Sequence, residues 1–380
     1  MTNKNSTYRR LGDYIREISV RNKDLSVSKL MGINIDKYFM PSVANVIGTD
    51  MSNYKVVANG QFACNLMHVG RDEKIPVALN TEDPIIVSPA YFVFEVCDNT
   101  LLPEYLELSL RNPEFDRNAW FHTDGDVRGG MDKEGMKDLL IPVPPLEEQR
   151  SIVSRYKAIE TRIATNKQTI AKLEEAAQAL YRKMFVDDVD VENLPEGWRM
   201  GKLGEMCDVR DGTHDSPMPC EVGNPLVTSQ NLTPWSVDIN GAYNISRNDF
   251  EKINKRSKVD YKDILLSMIG TIGTVCYVLN KKIDFAVKNV AIFKTSKNQS
   301  IGNYLLTHFK SYKMKCWIDS SLAGSTQSYI TLSMLRDMPI VVPSDAHLVL
   351  FNNQTNYMFD EIDILNRENE ILMKMLSLMA

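Results

Sequence analysis

The 380 residues are 43% hydrophobic and 24% charged, with a formal net charge of −5. That balance excludes a disordered or collagen-like chain, and the length exceeds what one core ordinarily organises, so two domains are expected. No apolar run reaches the roughly 18 residues of a membrane span and Met1–Arg10 holds no signal-peptide core, so the expected localisation is cytoplasmic with no membrane partner.

In chain order, Tyr8–Asp13 (YRRLGD) opens a region of short β-like runs and turn signals, with a β-like stretch at Ile85–Val96 and a helix-like one at Leu102–Arg111. MKDLLIPVP (Met136–Pro144) closes it. Pro144 and Pro145 end any strand ladder, and Glu147 and Glu148 sit where a helix dipole favours acids. Apolar side chains then recur at Ile152, Tyr156, Ile159, Ile163, Asn166, Ile170, Leu173, Ala177, Leu180 and Met184, the polar Asn166 being the one break in character. The steps alternate four and three, the seam of a coiled coil, on a helix of roughly 39 residues and about 58 Å.

The chain then repeats itself. WRMGKLGE (Trp198–Glu205) matches YRRLGD, and β-like runs follow at Asp263–Ser267 and Ala286–Lys294, with a helix-like segment at Ile301–Trp317. At an offset of about 199, Tyr105-Leu106 falls on Tyr304-Leu305 and MKDLLIPVP on LRDMPIVVP (Leu335–Pro343). A second seam runs through Phe351, Thr355, Met358, Ile362, Leu365, Asn369, Leu372, Leu376 and Met379. The expected architecture is α+β: globular domains at 1–145 and 187–344, and long helices at 146–186 and 345–380 that pair as an antiparallel coiled coil separating the domains. A stripe docked only on its own domain would not need so strict a repeat. Asn166 at a d position and Asn369 at an a position face one another in an antiparallel pair, so they are expected to meet and fix register.

Charge is unevenly shared. Residues 1–146 and 345–380 each come to about −4, whereas 195–344 come to about +4, so the negative total does not exclude a nucleic-acid partner. The six cysteines form no CxxC pair and the five histidines no metal-binding spacing. There is no GxxxxGK[ST] phosphate loop. NPEF, DPII and NPLV all lack the second proline of a methyltransferase Asn-Pro-Pro-aromatic tetrapeptide. Catalysis is not expected of this chain.

LPEGWRMGKLGEMCDVRDGTHDSP (Leu194–Pro217), GSTQSYITLSMLRDMPIVVP (Gly324–Pro343) and IPVPPLEEQRSIVSRYKAIETRI (Ile141–Ile163) together resemble the specificity subunit of type I restriction-modification systems, across essentially the whole chain. The resemblance implies two target-recognition domains, each reading one half of a split, asymmetric site in double-stranded DNA. It implies helices that act as a ruler and as the dock for two methyltransferase subunits, which endonuclease/translocase subunits join. No cofactor is then expected in this chain, with S-adenosylmethionine, ATP and magnesium carried by those partners. The chain departs from the pattern where GDVRGG (Gly125–Gly130) stands for GSTQSY, ISVRNKD (Ile18–Asp24) for CDVRDGTHD (Cys207–Asp215), and SDAHLVLFNNQ (Ser344–Gln354) for PLEEQ.

Reading DNA needs donors and acceptors at base edges and cations on phosphates. The second-domain candidates are Arg210, Asp211, Thr213 and His214, then Ser229, Gln230 and Asn231, then Ser325, Thr326, Gln327 and Tyr329. Lys252, Lys255, Arg256, Lys258 and Lys262 form a basic cluster, and Gly270 and Gly273 suggest close backbone approach. The first-domain candidates are Arg21, Asn22, Lys23, His68, Arg71 and Arg128. Each set has a plainer reading, as turn residues whose polar groups cap backbone or as a solvated helix face. Two other functions fit the residues: a DNA-binding adaptor or orphan recognition-domain protein outside restriction, and a coiled-coil scaffold for other proteins. Apolar residues on the outer helix faces, such as Val153, Ala176 and Leu350, suggest a covering partner.

Overall fold

A computed structural model describes residues 8–42, 48–67, 69–123, 130–323 and 329–379. The chain forms two compact units, Met1–Ile163 with Leu372–Ala380, and Ala164–Ile371. Two long helices, Leu146–Phe185 and Asp345–Met379, each give a segment to both units.

The first unit is built on a four-stranded antiparallel sheet in the order Ile15–Glu17, Phe92–Val96, Gln61–Cys64, Val77–Leu79. Phe62 and Phe94 stack at 4.9 Å at its centre. The expected single run Ile85–Val96 is two strands, Ile85–Val87 and Phe92–Val96, because Ser88-Pro89-Ala90-Tyr91 makes a turn closed by the Tyr91 N–H to Ser88 carbonyl bond. Helices Pro103–Arg111 and Pro113–Phe121 start on prolines, whose missing N–H costs nothing in a first turn.

The second unit repeats that plan with the order Val209–Asp211, Val290–Phe293, Ile264–Ser267, Val275–Tyr277. A smaller three-stranded sheet lies beside it, where Asn224–Val227 pairs parallel with Ala286–Val287. Here too the expected β run is split: Lys288 and Asn289 separate Ala286–Val287 from Val290–Phe293. The expected helix Ile301–Trp317 is two helices, Gln299–Phe309 and Tyr312–Ala323.

The duplicated words have one structural meaning. In each copy the strand before Leu-Gly pairs antiparallel with the strand before the long helix: Tyr8–Arg10 with Leu140–Pro142, and Arg199–Lys202 with Pro339–Val342. The Leu11 N–H donates to the Leu139 carbonyl at 2.8 Å, and the Leu203 N–H to Met338 at 3.0 Å. A Cβ on Gly12 would lie 2.8 Å from Lys137 Cβ, which excludes a side chain there without a shift, and one on Gly204 would lie a tight 3.2 Å from Arg336 Cβ.

Within the second unit the helices run antiparallel. Phe185 meets Phe351 at 5.2 Å, and at the other end the Asn166 amide donates to Asn369 Oδ1 at 3.0 Å, both residues buried. Ile170, Ala177, Met358, Ile362 and Leu365 fill the seam between them. Near the ends the stripe serves the globular part as well. Phe185 packs on Tyr304 at 4.9 Å and on Trp198 at 5.6 Å, so the two packing modes expected as alternatives occur on one helix. In the first unit Tyr156 lines a cavity with Met373 and Leu376. Of the outer apolar residues, Val153 and Ala176 are partly buried against their own cores, whereas Leu350 is 48% exposed.

Candidate nucleic-acid interface

In the second unit the candidate segments converge on one polar edge. Gly212 sits where any Cβ would collide with the Val287 carbonyl, so the turn after strand Val209–Asp211 lies flat against the Val287–Asn289 backbone. The Thr213 N–H donates to the Val287 carbonyl at 3.0 Å, and the Asn289 N–H to the Thr213 carbonyl at 3.1 Å. From there the edge continues through Met268, whose N–H donates to the Asn289 carbonyl, to Ile269, which bridges to Tyr329. Gly270, at a left-handed φ of 78°, would bring a Cβ within 3.3 Å of Ser229 Oγ. Thr213, Asn289, Met268 and Tyr329 are thereby linked through one backbone network, with the Ser229 hydroxyl beside Gly270.

Basic residues flank this edge. The helix Arg247–Ser257 lies against the 213–217 turn, and a groove of about 480 Å³ between them is lined by Thr213, His214, Ser216, Lys252 and Arg256. Arg256 reaches Asp211 at 3.1 Å and donates to the Gly212 carbonyl at 3.2 Å. Lys252 and Lys255 are exposed, while Lys258 pairs with Asp260 at 3.0 Å and Lys262 with Asp360 at 3.5 Å. Arg210 is tied to Asp208 at 2.8 Å, and with Lys297 it holds that carboxyl down at about 2.

Side-chain placement divides the candidates. His214 has both ring nitrogens engaged, Nδ1 at 2.9 Å from Asn289 Oδ1 and Nε2 at 3.0 Å from Asp211 Oδ2, yet its side chain is 61% exposed. Asn231 is buried and closes a capping box with Thr228, so its amide serves the fold; Gln230 is exposed. Gly273, at φ 87°, packs against Ile318 and thus serves a tight turn. In the first unit Asn22 is buried and bonds Val27 through both its oxygen and its nitrogen, which makes it a turn residue. Arg21 donates to the Asn53 carbonyl, Arg71 pairs with Asp72 at 2.7 Å, and Lys23 is exposed. His68, Arg128, Ser325, Thr326 and Gln327 lie outside the described residues.

Sequence reading missed Ser216, Lys288 and Asn289, although Lys288 donates to Ser216 and Asn289 joins three segments of the edge. The signal was present as a polar Lys-Asn pair splitting the apolar run AVKNVAIF. Among the described residues no group of three His, Cys, Asp or Glu side chains could hold a metal ion, and no helix is long and apolar enough to cross a membrane.

The type I restriction modification DNA specificity domain matches residues 69–175 and again 195–357. The MjaVIII type I restriction enzyme specificity subunit of Methanocaldococcus jannaschii is 24% identical over 267 residues, covering 64% of this chain and 61% of that protein. The HindI specificity subunit of Haemophilus influenzae is 27% identical over 186 residues, covering 47% and 40%. The chain thus aligns with about three-fifths or less of the length of these curated relatives. The crystal structure of a type I restriction-modification system S subunit from M. genitalium superposes over 99% of this chain and 97% of that one, with a TM-score of 0.53 at 14% identity, a likeness of fold.

Proposed function

The chain belongs to the type I restriction modification DNA specificity family, and from that premise we propose that it is the non-catalytic subunit that selects the DNA site of a methyltransferase and endonuclease complex. Each unit reads one half of a split, asymmetric site in double-stranded DNA. Two such half-site contacts on one chain combine into a single strong one where their spacing matches. The observation that carries this reading is the edge of the second unit, where turns from four separated stretches meet beside exposed Lys252 and Lys255. Base-edge groups flanked by cations are what sequence-selective DNA contact requires.

The helices receive two methyltransferase subunits, which endonuclease/translocase subunits join. Leu350, Tyr357, Ile364, Ile371 and Leu378 stand at seven-residue steps along the second long helix and are 48–83% exposed, a stripe outside the internal seam. An apolar heptad stripe facing water calls for a protein partner. Base flipping, methyl transfer and cleavage belong to those partners, together with S-adenosylmethionine, ATP and magnesium, and the assembly works in the cytoplasm.

Methylation profiling of cells carrying the chain and its cognate methyltransferase subunit tests the reading. The expected result is adenine methylation at a split, asymmetric motif that disappears without the chain. Absence of chain-dependent methylation, with the methyltransferase shown to be active, would return the protein to the adaptor or scaffold class.

A further inference from the structure

Asn289 holds the second unit's polar edge together without having any place in the sequence motifs. It takes a left-handed φ of 56°, a conformation that among side-chain-bearing residues Asn and Asp tolerate best. Its backbone ties the Thr213 turn to Met268, donating to the first and accepting from the second. Its side-chain oxygen lies 2.9 Å from His214 Nδ1, and Asp211, itself held by Arg256, fixes the opposite ring nitrogen.

An imidazole 61% exposed and yet anchored at both nitrogens has given up rotamer freedom that no core packing demands. Pre-arranging an exposed side chain reduces what must be ordered when a ligand arrives. The two units diverge at this same point. Strands Ile85–Val87 and Phe92–Val96 are joined by Ser-Pro-Ala-Tyr, whereas Ala286–Val287 and Val290–Phe293 are joined by Lys288-Asn289 alone. The four-stranded sheets keep one strand order, whereas Ile85–Val87 pairs antiparallel with Lys55–Val57 and Ala286–Val287 pairs parallel with Asn224–Val227. Divergence beside a shared four-stranded sheet is the pattern of a part that sets selectivity.

We infer that Asn289 is a positioning residue for the second unit's choice of half-site, acting by holding the His214 ring in the orientation offered to DNA. The inference rests on the recognition role proposed above. With its side-chain amide against His214 Nδ1, Asn289 acts through that ring.

Methylation profiles of cells expressing the full chain with its methyltransferase subunit decide it, for wild type, Asn289→Gly, His214→Ala and the double variant. Glycine keeps the left-handed backbone and removes the ring contact. The expected profile keeps one half of the motif intact and loosens the other at one or two positions, with preference for the wild-type base reduced tenfold or more. Because both residues act through one ring, the double variant should be no looser than the more affected single variant. An unchanged motif in Asn289→Gly, or additive loosening in the double variant, overturns the inference. So does complete loss of methylation by Asn289→Gly while His214→Ala keeps the full motif, since Asn289 would then serve the fold. A wild-type chain giving no chain-dependent methylation would instead remove the recognition role itself.

Discussion

Asn166 and Asn369 place two amides inside an apolar seam, and each depends on the other. Asn166 Nδ2 donates to Asn369 Oδ1 at 3.0 Å and to Glu368 Oε2 at 2.9 Å. Replacing Asn166 by Leu strands a buried acceptor, which costs about 1–3 kcal/mol. Replacing both by Leu removes the unmet group, so the double variant should recover the loss while relaxing the register that the pair enforces. Denaturant unfolding of the two single variants and the double checks this: a double variant no more stable than either single one would refute it. The heptad spacing put both residues on the seam, whereas their meeting depends on the antiparallel register that the spacing alone leaves open. The locked state of His214 was not legible in the sequence, because Asn289 is 75 residues away and only the strand pairing brings it near. Leu11-Gly12 and Leu203-Gly204 were legible as a repeat, but the reason for each glycine is the crossing with Lys137 or Arg336 far along the chain.

At the scale of elements, both long helices and their seams were readable because a 3.5-residue period is local. Their seating on the globular parts was not. In the second unit Tyr181 OH lies 2.7 Å from His308 Nδ1, Gln178 donates to the Thr307 carbonyl at 2.8 Å, and Lys310 pairs with Glu174 at 2.6 Å. Burial pushes His308 down to about 4. An unfolded chain takes up that proton near pH 6.5, so the neutral ring's contribution is complete above that pH and is lost as pH falls towards 4. The loss amounts to roughly 3 kcal/mol. His308→Gln, which keeps a polar group for Tyr181, should lose correspondingly less stability between pH 7 and pH 4, as read from denaturation midpoints; equal losses would refute the assignment. The exposed stripe on the second long helix makes a separate prediction. Ile364→Glu with Ile371→Glu should abolish co-purification of the methyltransferase subunit while leaving the chain's melting temperature within a few degrees of wild type, because surface changes usually alter stability by less than about 0.5 kcal/mol. Retained assembly would place the dock elsewhere.

For the molecule as a whole, the net charge of −5 conceals a positive 195–344 region between negative ones, and the duplication supplies two units whose four-stranded sheets share one strand order. If each reads its own half-site, recognition is divisible. Residues 208–329 hold the second unit's edge and its basic helix, while the pair Arg199–Lys202 with Pro339–Val342 ties the region to its helix from outside that span. Exchanging 208–329 for the corresponding stretch of a relative with another target should therefore change one half of the methylated motif and leave the other half as in wild type. A change in both halves would mean that the units read jointly. An unchanged motif would assign all discrimination to the first unit, where, among the described candidates, Asn22 serves a turn with Val27 and Arg21 bonds the Asn53 carbonyl. That contrast makes the exchange most informative in the second unit, where exposed His214 is held between Asn289 and Asp211 at the edge.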